Sequence, residues 1–462
     1  MTITIDYTNM MSAAGGLSDA DLDGAREAFA RAQAAVRAQH KAGALGFLDL
    51  PADEALLAQT TRFAGRAAGV FRDVVLLGIG GSALGPIALR TALRPYQWNS
   101  LPDAARHGLP RLHVLDNVDP ETIAALLDRV ELMHALVIVT SKSGGTAETM
   151  AQFLVVHDRL KRTAGSDLRR QLVFVTDPAK GALRPLAKSL GVEALDIPPN
   201  VGGRFSVLSP VGLLPAALIG IDVKALLAGA RDVRDRCMAA AGDDPRRNPA
   251  AAFALLQWLA DTRLGRRIDV LMPYSDPLRD MAAWFVQLWA ESLGKIRPDG
   301  TSVGPTPVAA LGATDQHSQV QLFMEGPADK TVTFLAVGER GTDVSIPSAF
   351  GEVKELAYLG GHSLGELIDI EQRATAGALA KRGRPNMTIR LGRVDAWHVG
   401  GLMMLLEIAT AYAGQLYGVD AFDQPGVELG KQFTYAMLGR ADAEAARREW
   451  DTLPKPDERY RV

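Results

Sequence analysis

The chain has 462 residues, 47% of them hydrophobic and 22% charged, which is typical of a globular protein with room for two domains. A formal net charge of −3 gives no reason to expect a nucleic acid or an anionic membrane as a partner, and the one cysteine excludes an intrachain disulfide and a cysteine-rich metal site. The first residues lack a basic stretch followed by an apolar run, and the longest apolar stretch, 210–221, is too short to span a bilayer. A cytoplasmic location is therefore expected.

Short apolar runs alternate with helical patterns in the first half of the chain. An amphipathic helix is predicted over 18–41, with Ser18 as its N-cap and Asp21 three residues later. The predicted strands are 74–79, 112–115, 136–139 and 172–175, and the helices between them include 120–130 and 146–162. Nearly continuous apolar strands separated by helices are typical of a parallel sheet that is covered on both faces.

A second series of the same kind follows. Its predicted strands are 268–272, 331–337 and 387–391, and its predicted helices are 249–264, 278–293, 364–379 and 396–417. The patterns predict an α/β fold of two similar units, each a mainly parallel sheet between helices. A polar, turn-rich seam near 222–248, with Ala240 to Arg247 at its centre, separates them.

Residues 135–149 contain a predicted strand, a turn rich in hydroxyls and glycines, and the start of a helix. Ser141, Ser143 and Thr146 supply three hydroxyls at the helix N-terminus, where unpaired N–H groups favour an anion. The spacing is not that of a nucleotide-binding P-loop. The segment predicts a cradle for a small phosphate, and a well-capped strand-to-helix turn is the simpler alternative.

A second glycine-rich loop, Gly78 to Pro86, follows the first predicted strand. It partly fits the dinucleotide pattern G-x-G-x-x-[GA], but Asp116 lies too far along the chain to be the acidic residue of that pattern. A loop that contacts a sugar or a phosphate fits better. A dinucleotide site and a purely structural tight turn stay open as alternatives.

Two further segments place charged side chains in apolar surroundings. Arg204 follows paired glycines and has the permanent charge that stabilises a developing oxyanion, unless it is an ordinary surface arginine. Glu291 lies in a mostly apolar helix with Gln287 one turn back, and a desolvated carboxylate with a raised pKa suits proton transfer. The alternative is that Glu291 is exposed and pairs with Lys295 at i,i+4.

His317 and Lys431 are the remaining candidates. His317 lies among polar residues, and the absence of H-x-H and H-E-x-x-H spacings favours an acid–base role over metal binding, with a structural histidine as the alternative. Lys431 lies at a predicted helix start after Gln424, where an ordinary surface lysine is the simpler interpretation.

These segments, in this order, resemble the phosphoglucose isomerase (glucose-6-phosphate isomerase) family over about residues 74–440. The most specific pieces are Gly-Gly-Arg-Phe-Ser at 202–206, Glu-Ser-Leu-Gly-Lys at 291–295 and Gly-Val-Glu-Leu-Gly-Lys at 426–431. The resemblance implies two sugar-isomerase (SIS) domains, a homodimer, and neither a metal nor an organic cofactor. The expected divisions are an N-terminal helical segment packing on the second domain (1–50), the first SIS domain with the phosphate loop (51–222), the second SIS domain (223–440) and a C-terminal tail (441–462).

The resemblance also implies roles for individual residues. The expected catalytic residues are Glu291 as the base, Arg204 beside the enediolate, and His317 and Lys431 in ring opening. The expected substrate-binding residues are Gly81, Ser82, Ser141, Lys142, Ser143, Thr146, Gln287 and Gln424. In the family the histidine reaches the site from the partner subunit, so the same is expected of His317.

The implied activity is the reversible isomerisation of glucose 6-phosphate and fructose 6-phosphate through a cis-enediol, in glycolysis and gluconeogenesis. A non-catalytic module that senses sugar phosphates would need the phosphate loop but not Glu291, His317 and Lys431 together. An enzyme that also accepts mannose 6-phosphate, which differs only in configuration at C2, stays open, as does a nicotinamide-linked enzyme. Gly144 and Gly145 stand where many family members have bulkier or hydroxyl residues, so one phosphate contact is expected from a backbone N–H.

Overall fold

The computed structural model describes residues 3–11, 14–164, 168–239 and 244–462 of the chain. Helices and strands alternate through both halves, as the sequence predicts. The centre of the predicted seam, 240–243, and the first two residues lie outside the described residues.

The strands of the described residues form two larger sheets and one short hairpin. They are β1 (Thr4–Asp6), β2 (Asp73–Leu77), β3 (Arg111–Leu115), β4 (Ala135–Thr140), β5 (Leu172–Thr176), β6 (Glu193–Asp196), β7 (Ile268–Pro273), β8 (Lys295–Ile296), β9 (Ser302–Val303), β10 (Thr306–Ala309), β11 (Lys330–Glu339) and β12 (Asn386–Arg393). Strands β2, β4 and β5 are buried along their whole length, which explains their unbroken apolar sequences.

The α-helices cover both sheets. They are α1 (Thr8–Met11), α2 (Asp19–Lys41), α3 (Glu54–Ala67), α4 (Leu84–Leu93), α5 (Pro120–Arg129), α6 (Ala147–Ala164), α7 (Leu183–Leu190), α8 (Pro210–Leu218), α9 (Val223–Ala239), α10 (Pro249–Leu264), α11 (Arg279–Leu293), α12 (Val320–Glu325), α13 (Lys354–Ala357), α14 (Leu364–Lys381), α15 (Ala396–Tyr417), α16 (Glu428–Met437) and α17 (Glu444–Thr452).

The first sheet is entirely parallel and has the order β3-β2-β4-β5-β6. In chain order this is second-first-third-fourth-fifth, the arrangement of flavodoxin-like doubly wound folds. Leu76 of β2 is paired with Val114 on one side and Ile138 on the other. The chain leaves β2 and β4 in opposite directions, so a crevice opens at the carboxyl ends of these two strands, where open α/β sheets bind ligands.

The second sheet has the order β1-β12-β11-β7-β10. Strands β7, β10, β11 and β12 are parallel and repeat the second-first-third-fourth order of the first sheet, while β1 joins the edge antiparallel. Ile5 of β1 lies opposite Ile389, and α2 packs against α15, so residues near the N-terminus are tied to the second unit. The chain therefore contains two α/β units of the same build.

Helix α15 lies at the centre of the core and packs against α2, α9, α10 and α11. Within the described ranges it is the one helix long and apolar enough to cross a membrane, but 94% of its apolar window is buried inside the protein. The uninterrupted apolar stretch 210–221 forms α8 and the turn after it. Helix α15 is longer and apolar on most sides, although it contains His398 and Glu407, because it is surrounded by other helices.

Sequence and structure differ chiefly at the sheet edges. Strands β1, β6 and β10 were not predicted, and each has a neighbour on one side only. All three strands are short. Strand β6 begins and ends with the charged residues Glu193 and Asp196. Strand β10 contains Pro307, and proline is confined to edge strands because it has no N–H to donate to the neighbouring strand. The helix predictions agree more closely: α10 and α15 have the predicted bounds, and Ser18 caps α2 by accepting from the backbone N of Asp21.

Candidate active site

The loop rich in hydroxyls and glycines joins β4 to α6 at the crevice of the first sheet. Ser141 Oγ lies 3.0 Å from Thr146 Oγ1 and 3.4 Å from Ser143 Oγ, so the three hydroxyls form one cluster. The backbone N of Gly144 donates to Ser141 Oγ at 3.1 Å, and its φ of +63° is a left-handed conformation that favours glycine. The cluster immediately precedes the 18-residue helix α6, whose N-terminus stabilises an anion.

The two glycines of this loop have different surroundings. A Cβ on Gly144 would lie 2.9 Å from the backbone N of Ala182, whereas a Cβ on Gly145 would meet nothing within 4 Å. Gly144 is therefore required for packing inside the loop. Gly145 is exposed, with open space beside it, and its backbone N–H makes a long hydrogen bond of 3.4 Å to Ser143 Oγ.

The Lys142 side chain turns away from the hydroxyl cluster. Its Nζ donates to the carbonyl oxygens of Pro199 at 2.8 Å and Val201 at 2.6 Å. Burial lowers the pKa of the Lys142 ammonium, while the carboxylate of Asp177 opposes that shift. The ammonium of Lys142 thus fixes the segment that leads into Arg204, and its expected contact with substrate stays a prediction.

The loop after β2 packs directly on the turn that carries Arg204. A Cβ on Gly81 would lie 2.3 Å from the carbonyl oxygen of Gly203, and one on Gly80 would lie 2.8 Å from Nε2 of Gln287. Ser82 completes the same short 3₁₀ turn, Gly80–Ser82. These glycines allow close contact between chain segments, and this, together with the flavodoxin-like strand order, argues against the dinucleotide interpretation.

Replacing Gly81 by Ala is expected to displace the Arg204 turn, because its Cβ would overlap the Gly203 carbonyl. Overpacking of this kind costs about 1–3 kcal/mol of the free energy of unfolding. Chemical denaturation of Gly81→Ala measures this loss. The matched control is Gly203→Ala, whose Cβ would meet nothing within 4 Å, and an equal loss of stability in both variants would contradict the explanation.

Arg204 is 4% exposed and lies where the two α/β units meet. The guanidinium donates to Ser292 Oγ at 2.7 Å, to the carbonyl oxygen of Ala421 at 2.5 Å and to that of Asp423 at 2.8 Å. Burial lowers its pKa, and the carboxylate of Glu291 opposes that shift. Arg204 is thus a fixed, buried cation rather than an ordinary surface arginine.

Glu291 faces this cation. Its Oε2 lies 3.3 Å from Nη1 of Arg204, and its Oε1 accepts a hydrogen bond from Nε2 of Gln287 at 3.2 Å, as the one-turn spacing predicts. Helix α11, which carries Glu291, is held to β7 by the indole N–H of Trp289, which donates to Asp269 at 2.7 Å. The Glu291 side chain is 34% exposed, so the carboxylate is partly buried and still accessible from the surface.

Lys295 does not pair with Glu291. Its Nζ lies 2.9 Å from Oδ1 of Asp423, so the simpler interpretation of Glu291 as half of an i,i+4 ion pair was wrong. Gln424, next in the chain, accepts from Nη1 of Arg204 at 3.0 Å, which brings it into the cluster as expected. The roles of Ser292 and Lys295 were missed, although both lie in the Glu-Ser-Leu-Gly-Lys motif beside Glu291.

His317 lies apart from this cluster within one chain. It follows a short 3₁₀ turn that is firmly held: Asp315 accepts from the backbone N of Leu311 at 2.7 Å, and Gln316 donates to the hydroxyl of Tyr274 at 2.9 Å. The imidazole itself is exposed. No hydrogen bond or ion pair among the described residues joins it to Arg204 or Glu291.

Lys431 also lies outside the cluster. It is exposed in the first turn of α16 and pairs with Glu428 at 2.8 Å. Helix α16 packs on α17, with the rings of Phe433 and Trp450 5.4 Å apart. For the part of the chain that the structure describes, no bond connects Lys431 to Glu291.

The equivalent crevice of the second sheet already has a carboxylate at its helix N-terminus. Asp343, after β11, accepts from the backbone N of Gly365 at 2.8 Å and from Ser363 Oγ at 2.6 Å, so a carboxylate already occupies the N-terminus of α14. Anion binding is therefore favoured at the first sheet. No group of three or more His, Cys, Asp or Glu side chains suitable for a metal ion occurs within the described ranges.

The fold and the site together define a double α/β protein with a hydroxyl-rich loop at a helix N-terminus in one unit and a carboxylate–arginine pair where the units meet. A model of the phosphoglucose isomerase family matches residues 56–454. The chain belongs to that family.

Individual relatives cover almost the whole chain. It is 46% identical to the glucose-6-phosphate isomerase of Carboxydothermus hydrogenoformans, with 97% of each chain covered. It is 47% identical to that of Rubrobacter xylanophilus, covering 95% of this chain and 98% of the relative. Among solved structures, a hypothetical protein of Thermus thermophilus has a TM-score of 0.85 at 40% identity, covering 95% of this chain and 100% of the other. The glucose-6-phosphate isomerase of Chlamydia trachomatis has a TM-score of 0.71 at 25% identity, covering 87% and 77%.

Proposed function

We propose that this protein interconverts glucose 6-phosphate and fructose 6-phosphate, the isomerisation that serves glycolysis and gluconeogenesis. The observation that carries the proposal is the pairing of an accessible carboxylate, Glu291, with a buried arginine, Arg204, in a chain of this family. The two sugars differ in whether C1 or C2 carries the carbonyl. Converting one sugar into the other needs one base to move the proton and a positive charge beside the developing enediolate.

The phosphate end of the substrate is assigned to the loop between β4 and α6. The hydroxyls of Ser141, Ser143 and Thr146, the open backbone at Gly145 and the N-terminus of α6 are the groups that a dianion requires. Holding this end orients the reacting carbons, so binding energy from a non-reacting group lowers the barrier.

The reacting end is assigned to the junction of the two units. Glu291 takes the proton from C2 and returns it to C1 through a cis-enediol, while Arg204 stabilises the negative charge on the enediolate oxygens. Gln287 Oε1 is buried and has no hydrogen-bond partner among the described residues, so it can accept from a sugar hydroxyl. Gly81 and Ser82, in the turn packed on Gly203, and Gln424, bonded to Arg204, are assigned to sugar contacts.

Ring opening is assigned to His317 and Lys431 by resemblance to the family. His317 moves a proton between the ring oxygen and the anomeric hydroxyl, and Lys431 assists. The imidazole is exposed on a firmly held turn, and a rigid turn fixes the position of an exposed side chain. This supports a role for His317 in a site completed by a second subunit. The homodimer, the division of the chain at residues 50, 222 and 440, and the cytoplasmic location remain predictions.

Removing two hydroxyls from the phosphate loop is expected to weaken binding rather than chemistry. A hydrogen bond to a charged group contributes about 1.5–3 kcal/mol, so KM of Ser143→Ala/Thr146→Ala should rise about 10²-fold or more while kcat changes far less. Steady-state kinetics and inhibition by inorganic phosphate measure both effects. The matched control is Thr163→Ala at the other end of α6, where the hydroxyl donates to Arg159 O. An unchanged KM in the double variant would argue against the phosphate loop.

Mixing two inactive variants tests the shared site. If His317 serves the partner's Glu291, dimers of Glu291→Gln and His317→Ala subunits contain one intact site each. Random exchange of subunits then restores about a quarter of the wild-type sites. Light scattering measures the oligomeric state, and activity is assayed after denaturation and joint refolding. Absence of any recovery in a refolded dimer would place His317 in its own subunit's site.

The function itself is tested by supplying purified protein with fructose 6-phosphate and coupling the product to a glucose-6-phosphate dehydrogenase. Mannose 6-phosphate runs in parallel, with the sugar product separated by chromatography, because its different C2 configuration tests specificity. Formation of glucose 6-phosphate is expected. A wild-type protein that binds sugar phosphates without turnover would instead support the non-catalytic sensor.

A further inference from the structure

Lys295 is a buried lysine beside the candidate site. Its side chain is 8% exposed, and its Nζ donates to the carbonyl oxygens of Asp420 at 2.5 Å and Asp423 at 2.9 Å. The same Nζ lies 2.9 Å from Oδ1 of Asp423 and 3.4 Å from the carbonyl oxygen of Ser292. All of the hydrogen bonds of its Nζ are with the end of α11 and with one short segment, 420–424.

That segment is also the support of Arg204. Nη2 of Arg204 donates to the carbonyl oxygens of Ala421 and Asp423, and Nη1 donates to Oε1 of Gln424. The Asp423 carbonyl accepts from both Arg204 and Lys295. The position of the guanidinium therefore depends on carbonyl groups that the lysine holds in place.

Segment 420–424 is anchored on its apolar side, where Ala421 is buried and Phe422 packs on Phe205, but its carbonyl groups have no regular secondary structure to hold them. It lies between the end of α15 and the 3₁₀ turn Pro425–Val427, outside any helix or strand, and Asp423 and Gln424 are exposed. Its backbone carbonyls point inward at two cations, and converging carbonyl dipoles repel each other unless a positive charge lies between them. The lysine provides that charge from the side of α11, next to the carboxylate that Arg204 faces.

We propose that Lys295 is a positioning residue for the isomerisation: it fixes segment 420–424 so that Arg204 is oriented toward Glu291 and the enediolate. The inference rests on the proposed function, because it assigns Lys295 a role in that reaction. Lys295 itself acts through Arg204 and Gln424 and is assigned no contact with substrate.

Lys295→Met removes the ammonium and keeps the length of the side chain. A small misplacement of a catalytic group costs up to about 10²-fold in rate, so kcat is expected to fall about 10- to 100-fold. KM and the inhibition constant of inorganic phosphate should change less than about threefold, because the phosphate loop is untouched. Lys295→Arg, which retains charge and donors, should recover part of the loss.

The matched control is Lys330→Met. Lys330 is another lysine with a buried side chain, 6% exposed, and it donates to the carbonyl oxygen of Pro327 and to the carboxylate of Asp329. It begins β11, so it lies at the amino ends of the strands, away from the crevice at their carboxyl ends. Lys330→Met should retain wild-type kcat even if its thermal midpoint falls as much as that of Lys295→Met. Equal losses of kcat in both variants would overturn the positioning role.

A double-variant cycle separates positioning from general stability. If Lys295 acts through Arg204, Lys295→Met should lower kcat by less than about threefold once Arg204→Lys is present. The same fractional loss in both backgrounds, or normal kcat in Lys295→Met, would overturn the inference. Lys295→Gln serves in the same cycle if the Met variant does not fold. An inactive wild type would reject the proposed function itself, whereas an active wild type with an active Lys295→Met variant would reject only the positioning role.

Discussion

Glu291→Gln is expected to lower kcat by about 10²–10⁴-fold, the contribution of a positioned general base. Glutamine keeps the size of the side chain and an oxygen that can accept from Arg204, but it cannot take the C2 proton. Substrate should still bind, because the phosphate loop is unchanged. Single-turnover kinetics measure the rate, and competition with inorganic phosphate measures binding.

The matched control is Glu325→Gln. Glu325 also lies on a helix and accepts from a glutamine one turn back, Gln321, at 2.7 Å, which repeats the arrangement of Gln287 and Glu291 away from the candidate site. This control should be as active as the wild type. A Glu291→Gln variant with near-normal turnover would remove Glu291 from the role of base.

Arg204→Lys should lower kcat by about 10²–10³-fold, the usual effect of losing one oxyanion-stabilising donor. Lysine keeps the charge but not the planar fork of donors that reaches Ser292, Gln424 and two carbonyl oxygens together. The loss should appear in kcat more than in KM, because the interaction strengthens as the enediolate forms.

Arg384→Lys is the control for arginine loss. Arg384 donates to the carbonyl oxygens of Met324 and Gly326 in the second unit, away from the carboxylate–arginine pair. Its replacement should lower the thermal midpoint without a comparable loss of kcat. If Arg204→Lys loses stability but retains kcat, Arg204 is structural and the proposed charge stabilisation is wrong.

Much of the fold could be predicted because its strong signals are local. Apolar runs such as 136–139 are continuous since both faces of β4 are buried, and caps such as Ser18 lie next to the helices they begin. The strand order could not be derived from periodicity, because pairing depends on contacts distant in sequence. Edge strands such as β6 were not predicted, because a strand that pairs on one side only does not need a continuous apolar sequence.

In the candidate site, too, the short-range features could be predicted from the sequence and the long-range contacts could not. The hydroxyl cluster after β4 and the pairing of Gln287 with Glu291 are short-range features, and the sequence motifs indicate them directly. The contacts of Lys142 and Lys295 were not foreseen because backbone carbonyls more than 50 and 120 residues away carry no sequence signal. The sequence left the exposure of Glu291 open, because apolar neighbours along a helix do not reveal which side faces a crevice.

The central claim is that Glu291 carries a proton between C2 and C1 of a sugar phosphate. Glucose 6-phosphate deuterated at C2 tests it most directly, with NMR following the label in normal water. The wild type should form fructose 6-phosphate with part of the deuterium lost to solvent, because a carboxylic acid exchanges its proton during the lifetime of the enediol, and Glu291→Gln should form almost none. Conversion and exchange by Glu291→Gln equal to those of the wild type would contradict the account.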